Sequence, residues 1–88
     1  MPELKITLND GTEYAVEWCG ASSGSLGFEL TGEWTILQAA EVFSDPDKTT
    51  RIVYTYGPGM EEEYESYTQL ATLNKERRTG NVIVSLYA

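Results

Sequence analysis

Carboxylates carry the most conspicuous chemistry in this 88-residue sequence, because four glutamates and one tyrosine fill positions 61–65. Alternation along a strand would send Glu61, Glu63 and Glu65 to one face, about 6.6–7 Å apart from one to the next. That spacing is near the spacing of phosphates along one strand of DNA. Two interpretations stay open. The run is either a patch that contacts a basic partner or imitates DNA, or a solvated hairpin end whose charges keep an exposed strand from pairing with other chains.

Tyrosines form a second candidate surface, since five of the six lie in the second half of the chain, on segments that we expect to be neighbouring strands. Tyrosine is enriched at contact surfaces because it brings a large area at low entropic cost. It equally caps the edge of a small core with its hydroxyl in water. The candidate partner-binding residues are therefore Tyr54, Tyr56, Tyr64, Tyr67, Glu61, Glu63 and Glu65, and Tyr87 is the remaining tyrosine of this half.

The acidic residues on either side of Pro46 could belong to a calcium-binding loop. Asp45 and Asp47 stand two residues apart. An EF-hand loop beginning at Asp45 would need glycine at its sixth position and glutamate at its twelfth, but those positions hold Thr50 and Tyr56. The pattern favours a helix-ending turn with surface acids, and we expect no metal.

Catalytic templates are scarce, because the sequence has no histidine, one cysteine and three lysines. The serines at 22, 23 and 25 have no recognisable base. The glycine-rich stretches 20–27 and 57–59 fit no phosphate-cradling motif and read as turns. Paired carboxylates can hydrolyse glycosides, but a chain of this length leaves little material for both a core and a substrate cleft. We expect no enzymatic activity, no cofactor and no small-molecule substrate.

Charge and cysteine content bound the partners and the compartment. The net charge of −8 opposes direct binding to nucleic acid or to an anionic membrane. The first twenty residues contain no continuous apolar stretch, so we expect no signal peptide of the usual plan. Cys19 has no second cysteine to pair with and reads as a small buried or half-buried hydrophobe. These features predict a protein that is made and kept in a reducing cytoplasm, or assembled there into something larger.

Strands are predicted for the first third of the chain from period-2 alternation. Apolar residues alternate with polar ones over 4–8, and Asp10-Gly11 is a strong hairpin signal. After this turn, the alternation places Tyr14, Val16 and Trp18 on one face. A third strand follows over 26–30.

A short amphipathic helix follows these strands. Ile36, Ala40 and Phe43 fall at helical spacing, with Leu37 and Ala39 beside them. Thr35 and Gln38 have the spacing of a capping box, Trp34 can staple onto the first turn, and Pro46 disfavours continuation. We expect a helix of about nine or ten residues that depends on packing against a sheet.

Strands resume over 51–56, 62–73 and 82–86, with a bulge near Glu65 or Ser66 where the alternation changes phase. The predicted class is α+β: about six mostly antiparallel strands in the order β-β-β-α-β-β-β, as a twisted sheet or partly open barrel with one short helix. We expect a single domain over 1–88.

Four segments of the sequence resemble a group of small acidic proteins encoded in bacterial prophages near tail and baseplate genes. The strings are AVEWCG, TILQAAEVFSDPDKTTRI, YESYTQL and a closing NVIVSLYA. The resemblance covers most of the chain. It implies a phage gene, a cytoplasmic or virion-associated product and work done by contact, and it supplies no catalytic residues.

The sequence therefore predicts a non-enzymatic protein-interaction or structural module, a minor phage component or an assembly factor. The alternative is an acidic DNA mimic that inhibits a nucleic-acid-binding defence protein of the host. Self-association is open, because Lys75, Arg77 and Arg78 form a positive loop opposite in sign to the 61–65 run.

Overall fold

The computed structural model describes residues 4–88. Within that range the chain forms seven strands and two short helices, which confirms the α+β class. In chain order they are β1 Lys5–Thr7, β2 Glu13–Ser22, β3 Ser25–Leu30, α1 Ile36–Phe43, α2 Pro46–Thr49, β4 Arg51–Gly57, β5 Met60–Glu65, β6 Gln69–Lys75 and β7 Val82–Tyr87. None of the helices within residues 4–88 has the length and apolar character needed to cross a membrane.

All neighbouring strands are antiparallel, in the order β5-β4-β1-β2-β3-β7-β6. A flat sheet of seven strands would place its edges about 29 Å apart, at roughly 4.8 Å per strand. Yet β5 and β6, the two edge strands, are joined by residues 66–68 alone. Four Cα steps reach at most about 14 Å. The sheet is therefore strongly curved, and its edges approach each other at this corner without pairing among the described strands.

Several breaks in regular pairing accompany this curvature, and two of them bear on the site. The first is a register shift between Val16 and Trp18, which divides β2 into a half that pairs with β1 and a half that pairs with β3. The second is Ser66, whose φ of 69° lies in the left-handed region. We predicted one segment over 62–73 with a bulge at this point. The structure instead breaks it into β5 and β6, on opposite edges of the sheet.

The predicted hairpins form as their turn residues require. Between β1 and β2, Gly11 has a φ of 89°, and the Leu8 N–H donates to the Thr12 carbonyl at 2.9 Å. Between β4 and β5, Pro58 and Gly59 make a two-residue turn in which Gly59 has a φ of 70°. Both glycines supply the positive φ that a side chain would oppose.

Helix α1 has the predicted capping box, with the Gln38 N–H donating to Thr35 Oγ1 and the Thr35 N–H donating to Gln38 Oε1, both at 3.0 Å. It ends at Phe43, and Pro46 then begins the four-residue α2. The predicted apolar stripe is partly wrong, because Ala39 and Phe43 are the buried residues whereas Leu37 is 71% exposed.

The core lies on the inner side of the curved sheet and is closed by α1, which lies against β6 and β7. Phe43 of α1 meets Phe28 of β3 edge to face, with ring centroids 5.0 Å apart. Trp34 packs near Tyr14 of β2 and Phe43 of α1, so it connects the helix to this strand. The fully buried apolar side chains are Ile6, Leu26, Phe28, Leu30, Ala39, Phe43, Ile52, Val82, Val84 and Leu86.

Candidate functional site

The β4–β5 hairpin carries most of the predicted site residues, and its register assigns them to faces. Thr55 lies opposite Glu61, Val53 opposite Glu63, and Arg51 opposite Glu65. Tyr54 and Ile52, the intervening residues of β4, lie opposite Glu62 and Tyr64. Because Ile52 is fully buried, its face points into the curved sheet. The three predicted glutamates therefore share the outer face, as expected, whereas Tyr54 and Tyr64 lie on the inner face. The structure separates the two sets that we had grouped.

The outer face carries a polar depression of about 510 Å³ whose lining includes one basic residue, Arg51. Arg51 Nε lies 2.9 Å from Glu63 Oε1, and Lys5 Nζ lies 2.8 Å from Glu13 Oε2. Lys5 stands opposite Thr55 in the register, so both cations belong to this face. The depression is lined by Thr7, Glu13, Arg51, Val53, Glu61 and Glu63.

The glutamates of the outer face differ in the groups that surround them. The hydrogen bond from Arg51 lowers the pKa of Glu63 to about 2. A hydrogen bond shared with Glu63, together with the negative charge there, raises the pKa of Glu65. Glu61 makes a weaker contact, accepting a hydrogen bond from Thr55 Oγ1 at 3.5 Å. The outer face is therefore an interleaved pattern of charges rather than a uniform row of anions.

The inner face of the same hairpin carries aromatic side chains around one carboxylate. Tyr64 Oη donates a hydrogen bond to Glu62 Oε2. The rings of Tyr54 and Tyr56 lie 5.4 Å apart between centroids, and those of Tyr64 and Tyr67 lie 6.2 Å apart at 78°. Met60, two residues before Glu62, packs its sulfur beside Gly57 and is 53% exposed. We call this set the tyrosine surface: Tyr54, Tyr56, Met60, Glu62, Tyr64 and Tyr67.

Exposure increases along the tyrosine surface from the core toward the hairpin tip. Tyr54, Tyr64 and Tyr67 are half-buried and pack against the core, whereas Tyr56 is 36% exposed. Burial is the main cause that raises the pKa of Tyr54 and of Tyr64, and the hydrogen bond to Glu62 adds to the rise for Tyr64. Tyr54 and Tyr64 are therefore neutral at physiological pH. Glu62 is the acidic residue of the surface.

Cys19 lies close to this surface on β2, where it stands opposite Phe28. It is half-buried, as predicted from its surroundings in the sequence. Burial raises the pKa of its thiol to about 12, with a smaller contribution from the negative charge of Glu62. A thiol in this environment is a packing group rather than a nucleophile.

Our sequence analysis missed Glu62 and Met60 as members of the surface. A signal was available for both, because residues 60, 62 and 64 have the same parity along one strand and so share a face. We gave weight instead to the odd-numbered glutamates, whose charges dominate the sequence pattern. The placement of Tyr54 directly opposite Glu62 depends on the hairpin register, which parity alone does not determine.

A second polar cluster, also unpredicted, lies on the outer face of β2 and β3. Glu29 is only 7% exposed and accepts hydrogen bonds from Trp18 Nε1 at 3.2 Å, Asn81 Nδ2 at 2.9 Å and Thr79 Oγ1 at 3.4 Å. These hydrogen bonds join β3 to β2 and to the segment before β7, so the cluster ties three parts of the fold together. Among residues 4–88, no three His, Cys, Asp or Glu side chains are grouped so that they could hold a metal ion.

Comparison of the chain with protein-family models, with curated proteins and with solved structures finds no match in any of the three. The resemblance to prophage proteins thus stays a prediction. The geometry of the two hairpin faces is what distinguishes the functional hypotheses.

Proposed function

We propose that this chain is a non-enzymatic protein-interaction module whose docking site is the tyrosine surface. The observation that carries this proposal is the position of the surface on an edge hairpin, where Tyr56 and Met60 remain exposed beside half-buried Tyr54 and Tyr64. Tyrosine supplies a large contact area at low entropic cost, and methionine is likewise enriched at interfaces. A partner that covers them would bury apolar surface that the chain leaves in water.

The setting that we propose is a phage particle or its assembly, as a minor component or an assembly factor. This part rests on the resemblance of four sequence segments to prophage-encoded proteins. A function based on protein–protein contact suits a chain whose candidate residues are tyrosines and carboxylates.

Self-association through opposite charges stays a prediction. The basic residues that it would use are on β6 and in the loop after it, at the sheet edge opposite β5: Lys75, Arg77 and Arg78.

The alternative is a DNA mimic that uses the outer face. The alignment of Glu61, Glu63 and Glu65 on one exposed face favours it. Against it, Arg51 and Lys5 form ion pairs on that same face, and a phosphate backbone has no such cations. We therefore prefer the tyrosine surface.

Affinity capture with matched variants tests the proposal. The bait is the wild-type chain, the double variant Tyr56→Ser with Met60→Ser, or the triple variant E61Q/E63Q/E65Q. The lysate comes from bacteria with an induced prophage. We expect a partner that the wild type and the triple variant retain, and that the tyrosine-surface variant loses by at least about tenfold. Retention should weaken much less with salt than binding of a DNA mimic to its target would, because the apolar contacts are not screened.

The opposite pattern would favour the mimic. Loss of the partner in the triple variant, retention by the tyrosine-surface variant and competition by duplex DNA would together contradict our proposal. Circular dichroism of both variants guards against loss of the fold. Both substituted apolar positions are exposed, so we expect the double variant to fold.

A further inference from the structure

Glu62 differs from Glu61, Glu63 and Glu65 of its hairpin because it lies on the inner face among tyrosine rings. On the outer face, Glu63 is paired with Arg51, and neighbouring Glu13 is paired with Lys5. Of the ion pairs formed within residues 4–88, none involves Glu62. It receives a hydrogen bond from Tyr64, which is a neutral group. Its negative charge is thus oriented by an aromatic neighbour, and no cation within residues 4–88 forms an ion pair with it.

The aromatic neighbours of Glu62 have the chemistry that a cation requires. Tyr54 lies directly opposite Glu62 in the register, so their Cβ atoms are about 4.5–5.5 Å apart. Tyr56 extends the aromatic area on that side, and Tyr64 bounds the other side. Ring faces attract Lys and Arg side chains, most strongly where water is partly excluded. A guanidinium placed at Glu62 would contact both a carboxylate and tyrosine rings.

We infer that the tyrosine surface recognises an arginine or lysine side chain on an extended segment of the partner protein, with Glu62 as its ion-pair partner. This inference rests on the proposed function and names the chemistry of the partner. The net charge of −8 assists the encounter of such a basic segment with the chain. Arginine is the better fit of the two, because its planar group stacks on aromatic faces while it donates to a carboxylate.

The spacing along β5 adds a requirement for the residues that flank the cation. Met60 and Tyr64 lie two residues before and after Glu62 on the same side of the strand. In an extended segment running alongside, residues two positions from the cation point to the same side as the cation does. Apolar residues at those positions would lie over Met60 and Tyr64. The recognised pattern is therefore apolar-x-Arg-x-apolar.

Peptide titration by NMR tests this pattern on the intact chain. The probe is a five-residue peptide of leucine, serine, arginine, serine and leucine, blocked at both ends. Its control replaces arginine by citrulline, which has nearly the same shape and no charge. We expect chemical-shift changes centred on Tyr54, Tyr56, Glu62 and Tyr64. The citrulline peptide should bind about tenfold more weakly.

Two isosteric variants separate recognition at Glu62 from general attraction to an acidic protein. E62Q should lower the affinity for the arginine peptide to that measured for the citrulline peptide. E61Q removes the same charge one residue away on the opposite face and should leave binding within about twofold. Equal weakening by E61Q and E62Q, equal binding of the two peptides, or shifts confined to the outer face would each overturn the inference.

The same variants distinguish failure of this inference from failure of the proposed function. A captured partner that depends on Tyr56 and Met60 but is retained by E62Q would leave the proposed function intact and contradict cation recognition. A partner that the Tyr56→Ser, Met60→Ser double variant retains as well as the wild type would contradict both the proposed function and cation recognition.

Discussion

Trp18 and Glu29 are joined across β2 and β3 by a hydrogen bond of 3.2 Å from the indole Nε1 to Oε1. The indole lies over Gly27, where a Cβ would come within 3.3 Å of ring atom Cζ3. Glu29 also binds Asn81 and Thr79, so one carboxylate ties the connection between β6 and β7 to the middle of the sheet. Among the acidic residues within 4–88, Glu29 is the buried one, and its role is structural.

Glu29→Ala should therefore destabilise the fold and leave the structure of the tyrosine surface unchanged. The substitution removes the acceptor for the buried Asn81 amide and for the indole, and an unsatisfied buried donor costs about 1–3 kcal/mol. We expect a loss of about 2–3 kcal/mol in the free energy of unfolding, measured with urea. Glu33→Ala, on an exposed carboxylate, should stay within about 0.5 kcal/mol. Equal losses in the two variants would refute the structural tie.

Ser66, the residue at which the chain leaves β5 for β6, gives the second prediction. Its φ of 69° strains a residue with a side chain, and its N–H donates to the Thr50 carbonyl at 2.9 Å. Ser66→Gly should stabilise by about 0.5–1 kcal/mol, because relief of the strain exceeds the added entropy of the unfolded chain. Ser66→Val should destabilise by about 1–2 kcal/mol. Thermal unfolding measures both, and Ser22→Val, at an exposed position of β2 without a positive φ, is the control that should stay within about 0.5 kcal/mol.

Local features of the fold were predictable because their causes are local. The Asp10-Gly11 hairpin, the capping box at Thr35 and the alternation in β3 and β7 each follow from a few adjacent residues. The order of the strands was not predictable in the same way. β4 pairs with β1, and β7 lies between β3 and β6, because of contacts between residues far apart in sequence.

The bulge in β2 shows how a local irregularity changes a site. Alternation placed Trp18 with Tyr14 and Val16, yet the register shift after Val16 turns Trp18 outward, 43% exposed. Cys19 takes the inner position instead, near the tyrosine surface. For the candidate site, parity identified the shared face of Glu61, Glu63 and Glu65, but which face points inward depended on packing against Ile52.

Cys19 should react slowly with thiol reagents, because burial raises its pKa to about 12. At about pH 8 the thiolate population is roughly a thousandfold below that of an ordinary cysteine, and modification should be at least about a hundredfold slower than in the denatured chain. The rate of reaction with a chromogenic disulfide, in buffer and in concentrated guanidinium chloride, measures the ratio. Equal rates would mean that the thiol is accessible in the folded state.

The same shift predicts an effect of alkaline pH on stability. The folded chain holds the Cys19 proton between the ordinary pKa of 9.0 and about 12, whereas the unfolded chain releases it. The free energy of unfolding should therefore fall as pH rises from about 9. Cys19→Ala removes this contribution and should flatten the dependence, although the raised pKa values of Tyr54 and Tyr64 leave a part of it.

Glu63 and Glu65 should titrate on opposite sides of the ordinary glutamate value. Arg51 lowers the pKa of Glu63 to about 2, so its favourable contribution is present above the ordinary value of 4.5 and is lost as pH falls toward 2. The raised pKa of Glu65 acts in the reverse sense above 4.5, so the two effects oppose each other in overall stability. Carbon-detected NMR titration of each carboxyl resolves them.

Arg51→Gln should return the pKa of Glu63 toward its ordinary value. High salt should act in the same direction, because the side chains of Arg51 and Glu63 are both exposed. Titration of Glu63 together with the other glutamates in the wild type would show that the ion pair with Arg51 does not persist in solution.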